Sequence, residues 1–217
     1  MGECFGVGLV TAAGEDPRGI DLHSKVGGDR PTALLAVAQL MRGAASVNLA
    51  QNQLTPDESL QIAEGVRLST LLQHLQLSNN RLAGVWFVGG AFEGEYTSTG
   101  IVAIADAVRT SPSLTRLDLS QNSLGVAYVG GVRVNSMRGI QALADAVRES
   151  KSLRRLSIAY NSIGPSGGKV IGDAAAASAA LTSLDISGNL IGLKGSKAVC
   201  DAAVSNVAIS HLDLRFK

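Results

Sequence analysis

Aromatic residues are scarce in this 217-residue sequence, with one Trp, three Tyr and four Phe making up 4% of it. Any core is therefore left to Leu, Ile, Val and Ala. Charge of one sign is lacking as well. Nineteen Lys and Arg against eighteen Asp and Glu leave a formal charge of +1, which provides no electrostatic footprint for nucleic acid or an anionic membrane. Cysteine is limited to Cys4 and Cys200, too few for a disulfide framework, so a reducing intracellular compartment is expected. No apolar run approaches the ~18 residues of a membrane span. Nothing resembles a secretory or transit signal, and Gly6 departs from the pattern of an acylated Met-Gly start. With 46% hydrophobic and 17% charged residues, the composition is globular, not disordered.

Catalytic and metal-binding constellations are missing too. No His-x-x-x-His or Cys-x-x-Cys spacing occurs, so no metal is expected. The stretch Ile163-Gly-Pro-Ser-Gly-Gly-Lys-Val170 is phosphate-like in composition, but it lacks the P-loop spacing and the Ser or Thr after Lys169. Ser, His and Asp are present without a cleft to gather them. Neither an enzyme nor a cofactor is expected.

What the chain has is a period. Leu114-Thr-Arg-Leu117-Asp-Leu119-Ser-Gln-Asn122-Ser-Leu124 recurs as Leu72, Leu75, Leu77, Asn80, Leu82, as Leu153, Leu156, Ile158, Asn161, Ile163, and as Leu181, Leu184, Ile186, Asn189, Ile191. A weaker copy runs Ala44, Val47, Leu49, Asn52, Leu54, and another opens with Ile209, Leu212, Leu214. The most degenerate copy begins at Pro17, with Lys25 in the Asn position. Starts at 44, 72, 114, 153, 181 and 209 lie 28, 42, 39, 28 and 28 residues apart, so two units of 28 carry insertions of 14 and 11. The Leu-x-Leu alternation predicts a short strand with Leu117 and Leu119 on one face. Each Asn suits the turn after it, where successive copies would stack as a ladder. Ile140, Leu143, Ala144 and Val147 fall on one helical stripe, and Pro31 and Pro56 suit helix first turns.

This spacing resembles the leucine-rich-repeat superfamily across roughly residues 17 to 217, and the 28-residue unit with a helix is similar to its ribonuclease-inhibitor-like class. The fold expected is α/β: a right-handed solenoid with a parallel inner sheet and outer helices, preceded by a segment at 1–16 and interrupted by two β-hairpin insertions near 84–98 and 126–138.

Registering the repeats predicts the surface. One outward strand column reads Ser46, His74, Arg116, Arg155, Ser183, His211, and its neighbour reads Asn48, Gln76, Asp118, Ser157, Asp185, Asp213. These charges either satisfy each other or form a mixed-charge docking face. In the insertions, Gly84-Val-Trp-Phe-Val-Gly-Gly90 aligns with Gly125-Val-Ala-Tyr-Val-Gly-Gly131, and Gly-Gly between β-prone runs is a hairpin signal. Five of the eight aromatics lie there: Trp86, Phe87, Phe92, Tyr96 and Tyr128. Displayed on a rigid scaffold they are candidates for binding hot spots; otherwise they pack the hairpins onto each other or the solenoid flank. The candidate partner-binding set is these five with Val132, Val134, His74, Arg116, Asp118, Arg155, Tyr160 and Asp185.

The sequence stops three residues after Leu214 without a closing helix, so either it is a fragment or a neighbour supplies the cap. The function expected is a non-catalytic scaffold for one or more proteins, as a structural subunit of a large assembly in the cytoplasm or cytoskeleton, the axoneme included. The resemblance also admits a regulator similar to the GTPase-activating proteins for Ran, or a sensor fragment of an intracellular immune receptor. The acidic tail of the former and the nucleotide-binding domain of the latter are not in this sequence.

Overall fold

The computed structural model describes residues 19–26, 30–129 and 132–215, and the side chains of 126–135 lie outside that description. The expected segment at 1–16, Cys4 and the Gly130-Gly131 pair also lie outside it. Each Leu-x-Leu motif supplies a three-residue strand: β1 (Gly19–Asp21), β2 (Ser46–Asn48), β3 (His74–Gln76), β6 (Arg116–Asp118), β9 (Arg155–Ser157), β10 (Ser183–Asp185) and β11 (His211–Asp213). Together they form one sheet in the order β1-β2-β3-β6-β9-β10-β11, with every pair parallel. The register places Ile20, Val47, Leu75, Leu117, Leu156, Leu184 and Leu212 in one row, and all but Leu212 are buried.

Between successive strands run the helices α1 (Arg30–Leu40), α2 (Pro56–Leu68), α3 (Thr99–Thr110), α4 (Arg138–Glu149), α5 (Gly164–Ala177) and α6 (Gly192–Ser205). Their period-3.6 stripes face the sheet: Ile140, Leu143, Ala144 and Val147 of α4 are buried, as are Ile101, Ile104, Ala105 and Val108 of α3. Each helix packs on the next, α1 through α6 in order. The phosphate-like stretch at 163–170 is the entry into α5.

The Asn ladder forms as the repeat predicts. Asn52, Asn80, Asn122, Asn161 and Asn189 are buried, and each amide nitrogen donates to carbonyls of its own turn and of the preceding repeat. Each side-chain oxygen from Asn80 onward accepts a backbone N–H of the preceding repeat, such as Asn122 N–H to Asn161 Oδ1 at 2.8 Å. In the first repeat, where Lys25 replaces Asn, the rung is supplied from outside: Asn52 Oδ1 accepts from the N–H of Val26.

A second polar ladder closes the other side of the coil. Ser69, Ser111, Ser150 and Ser178 cap the C-termini of α2 to α5, and their hydroxyls accept from the N–H groups of Leu72, Leu114, Leu153 and Leu181 at 3.0–3.2 Å. All four are buried, so each hydroxyl satisfies a donor that water does not reach.

The N-terminal repeats are joined by Arg30 of α1, whose guanidinium donates to both carboxylate oxygens of Glu58 at 2.7 and 2.9 Å. Glu58 is also the reciprocal member of a capping box with Thr55 at the start of α2. Burial raises the Glu58 pKa, but the hydrogen bonds from Arg30 and Thr55 outweigh it and hold the carboxyl below its ordinary 4.5. A depressed carboxyl stabilises the fold above its unfolded pKa, and that stability is lost as pH falls through the folded value. Glu58→Gln is accordingly expected to cost about 1 kcal/mol near neutral pH and to flatten the loss of stability between about pH 6 and about pH 3, read from thermal unfolding across that range.

Candidate interaction surfaces

The outward strand positions fall in the two expected columns, and most of them line a shallow concave trough of about 480 Å³. Among the described residues no salt bridge joins an arginine of the first column to an aspartate of the second. Acceptors of the second column turn back to the chain: Asp21, Asn48, Asp118, Asp185 and Asp213 each accept the backbone N–H two residues on, at 2.9–3.0 Å. Asp185 also accepts from the Ser157 hydroxyl at 3.1 Å, and Ser157 hydrogen-bonds Ser120 at 2.7 Å. Asp213 pairs with Arg215, whose side-chain and backbone hydrogen bonds hold its carboxyl below the usual range. In the first column, Arg116 and Arg155 stand directly opposite each other on β6 and β9, with His74 beside Arg116 on β3.

At the edge of the trough lies Tyr160, 51% exposed, one residue before the ladder Asn161. Its backbone is left-handed, φ 55°, as at the matching Gln51, Asn79, Gln121 and Gly188. The Tyr160 ring lies over Gly188, where a Cβ would come within 2.6 Å of ring atoms. Glycine is required there by the neighbour's ring, since the φ of 66° is close to values that Gln, Asn and Tyr adopt at the matching positions. A small hollow beside the ring is lined by Asp118, Asp185 and Arg215.

The insertions are hairpins. β4 (Val85–Val88) pairs antiparallel with β5 (Ala91–Gly94), and β7 (Val126–Val129) with β8 (Val132–Asn135), each as a separate two-stranded sheet. Gly89 and Gly90, with φ of 58° and 87°, make the two-residue turn of the first, where both central residues must be left-handed. The side chains of Tyr128, Val132 and Val134 lie outside the described residues.

The aromatics of the first hairpin do not all point outward. Phe92 and Tyr96 are half-buried against the core. The Tyr96 hydroxyl donates to the Leu124 carbonyl at 3.1 Å, fastening the first insertion to the next repeat. Burial pushes its phenol above the usual 10, against the opposing hydrogen bond with Ser136. Trp86 is half-buried, with the Arg81 guanidinium 4.1 Å from its ring centroid, and its ring leaves no room for a Cβ at Gly94. Phe87 is 63% exposed, edge-on to Phe92 at 5.1 Å between centroids, and its neighbour Val88 is 48% exposed. Of the two readings of these aromatics, display or packing, each describes part of the first hairpin: among the described side chains Phe87 is exposed at the tip beside Val88, and the others are half-buried. Trp86, Phe92 and Tyr96 hold the finger to the scaffold.

Elsewhere, Leu193, Val204 and Val207 are exposed on and beside α6, where Cys200 is also exposed. Among the described residues no His, Cys, Asp and Glu gather into a group able to hold a metal ion. No described helix is long and apolar enough to cross a membrane.

A family model described as Leucine Rich repeat matches residues 110–127, 149–172 and 178–200. No curated protein matches the chain. Among solved structures, the chain is similar to the Actin-Binding Site 2 of leiomodin-1, with 16% identity over 83% of this chain and 91% of that one and a TM-score of 0.57. It is also similar to the leucine-rich repeat-containing protein LegL7 from Legionella pneumophila, with 18% identity over 95% of this chain and 72% of that one and a TM-score of 0.46.

Proposed function

Since the chain is a leucine-rich-repeat protein and the fold is one of protein interaction, we propose that it is a non-catalytic scaffold that holds a protein partner through the first hairpin, as a subunit of a larger intracellular assembly. The observation that carries this reading is the exposed Phe87–Val88 pair on a finger whose other aromatics are spent on anchorage. An apolar tip of this kind has no use in the repeat core, which is complete without it. Held rigidly, it loses little conformational freedom on docking, which favours affinity. Aromatic anchors of this sort are each worth about 2 kcal/mol or more at an interface.

The test is affinity purification from native cells with the chain and with Phe87→Asp/Val88→Asp, both checked by circular dichroism. Capture of the specific partners is expected to fall by about thirtyfold with the fold intact. Equal capture by both proteins would remove the hairpin from the interface. Actin is a sensible first probe, because the solved neighbour of like fold is named for an actin-binding site.

A further inference from the structure

We propose that the centre of the concave face is a carboxylate clamp, in which Arg116 and Arg155 together grip an acidic side chain of an extended segment of the partner. The two arginines occupy facing positions on adjacent parallel strands, so their backbones are about 4.8 Å apart. Both are exposed, and neither makes an ion pair or a side-chain hydrogen bond with a described residue. Like charges directly opposite in a sheet repel.

Among the described residues the nearest carboxylates form no ion pair with either arginine. Asp118 and Asp185 are each held by the N–H two residues on, and Asp185 additionally by Ser157. Several cationic side chains of the convex helices are paired where they stand, Arg109 with Asp106 and Glu149, Arg148 with Asp145, Lys169 with Asp173 and Lys197 with Asp201, while Arg138 and Lys194 form no ion pair with a described residue. Two forked cations that form no ion pair with a described residue, in the middle of a trough, are complementary to one carboxylate placed between them. Each guanidinium offers paired N–H donors to its oxygens. Ser183 is the short side chain next to Arg155 in the same column, and on the other side His74 stands beside Arg116, with Ser46 beyond it.

The Asp column restricts the occupant. A strongly anionic strand would meet Asp118 and Asp185 across the trough, so the fit is to an isolated acidic residue or pair, not to a polyanion such as nucleic acid. The clamp rests on the protein-binding reading above but uses a different face from the hairpin tip, so the two fail separately.

The probe is a short extended peptide with two central Glu in a Gly-Ser background, titrated into isotopically labelled full-length chain and followed at the arginine Nε–H resonances. The resonances of Arg116 and Arg155 are expected to move with the Glu peptide and to stay in place with its Gln counterpart. Arg116→Gln/Arg155→Gln is expected to weaken the Glu peptide at least about tenfold while leaving the thermal transition in place. A Gln peptide bound equally well, Glu-peptide affinity unchanged in the double variant, or a phosphoserine peptide bound where the Glu peptide is not, each overturns the clamp. If Phe87→Asp/Val88→Asp still abolishes capture of native partners in any of those cases, the scaffold reading stands and only the clamp is lost.

Discussion

Replacing Asn161 with Leu is expected to cost about 3–5 kcal/mol, a large share of the stability of a domain this size. The side chain is fully buried. Its amide nitrogen donates to the carbonyls of Leu119 and Ile158, both at 2.9 Å, and its oxygen accepts the N–H of Asn122 at 2.8 Å. The two carbonyls keep a second donor, Asn122 Nδ2 for Leu119 and Asn189 Nδ2 for Ile158. The Asn122 N–H keeps no acceptor, and leaving a buried donor unmade costs more than the bond itself contributes. Leucine also has to place its branch among backbone polar groups. Asn161→Asp tests the same point without changing size: it keeps the acceptor but sets a buried negative oxygen against two carbonyls, so an equal or larger loss is expected. The end rung behaves differently. Among the described residues Asn52 Oδ1 accepts only the N–H of half-buried Val26, whereas Asn161 Oδ1 accepts those of buried Asn122 and Leu124, so Asn52→Leu is expected to cost less. Urea unfolding of the three variants orders them, and equal losses at Asn52 and Asn161 would mean that the ladder does not set the stability.

The other large effect is expected at Leu117. It is 2% exposed at the centre of β6, between Leu75 and Leu156 in the interior row. Leu117→Asp places a carboxylate in an apolar row with no cation to meet it, at a cost beyond about 5 kcal/mol. In a coil where each repeat touches only its neighbours, a broken middle separates the two ends rather than weakening both uniformly. Loss of a single cooperative thermal transition is expected, with aggregation from the newly exposed sheet edges. Leu117→Ala is expected to fold, with a loss of about 2–5 kcal/mol. An aspartate variant that melted like the alanine one would show that the row is not closed to water.

How much of this was legible follows from what a period can encode. Spacing at Leu117, Leu119 and Asn122 fixes which side chains point inward, because strand alternation and the ladder turn each leave one solution, and the parallel sheet follows from stacking them. The Gly-Gly pair at 89–90 announced its hairpin for the same local reason. The serine ladder was also periodic, three residues before the repeat starts at 72, 114, 153 and 181, but serine is common near helix ends and the pattern reads as ordinary polarity until the repeats are aligned. Two features lay beyond the period. The acidic column reads as surface charge, yet Asp118 and Asp185 cap their own turns, a habit of Asp and Asn that only a turn two residues on reveals. In the insertions, composition located the aromatics but not their directions. Trp86 turns under Arg81, and Tyr96 reaches the next repeat, because contacts with residues outside the hairpin decide those rotamers.

Most direct for the central claim, that the solenoid presents its hairpin tip and concave face to a protein, is hydrogen exchange of the chain alone and in complex with a captured partner. Slowed exchange is expected in the hairpin at 85–94 and in the strands β6 and β9, with the outer helices unchanged. Protection confined to the convex helices, with the hairpin exchanging as freely as before, would contradict it.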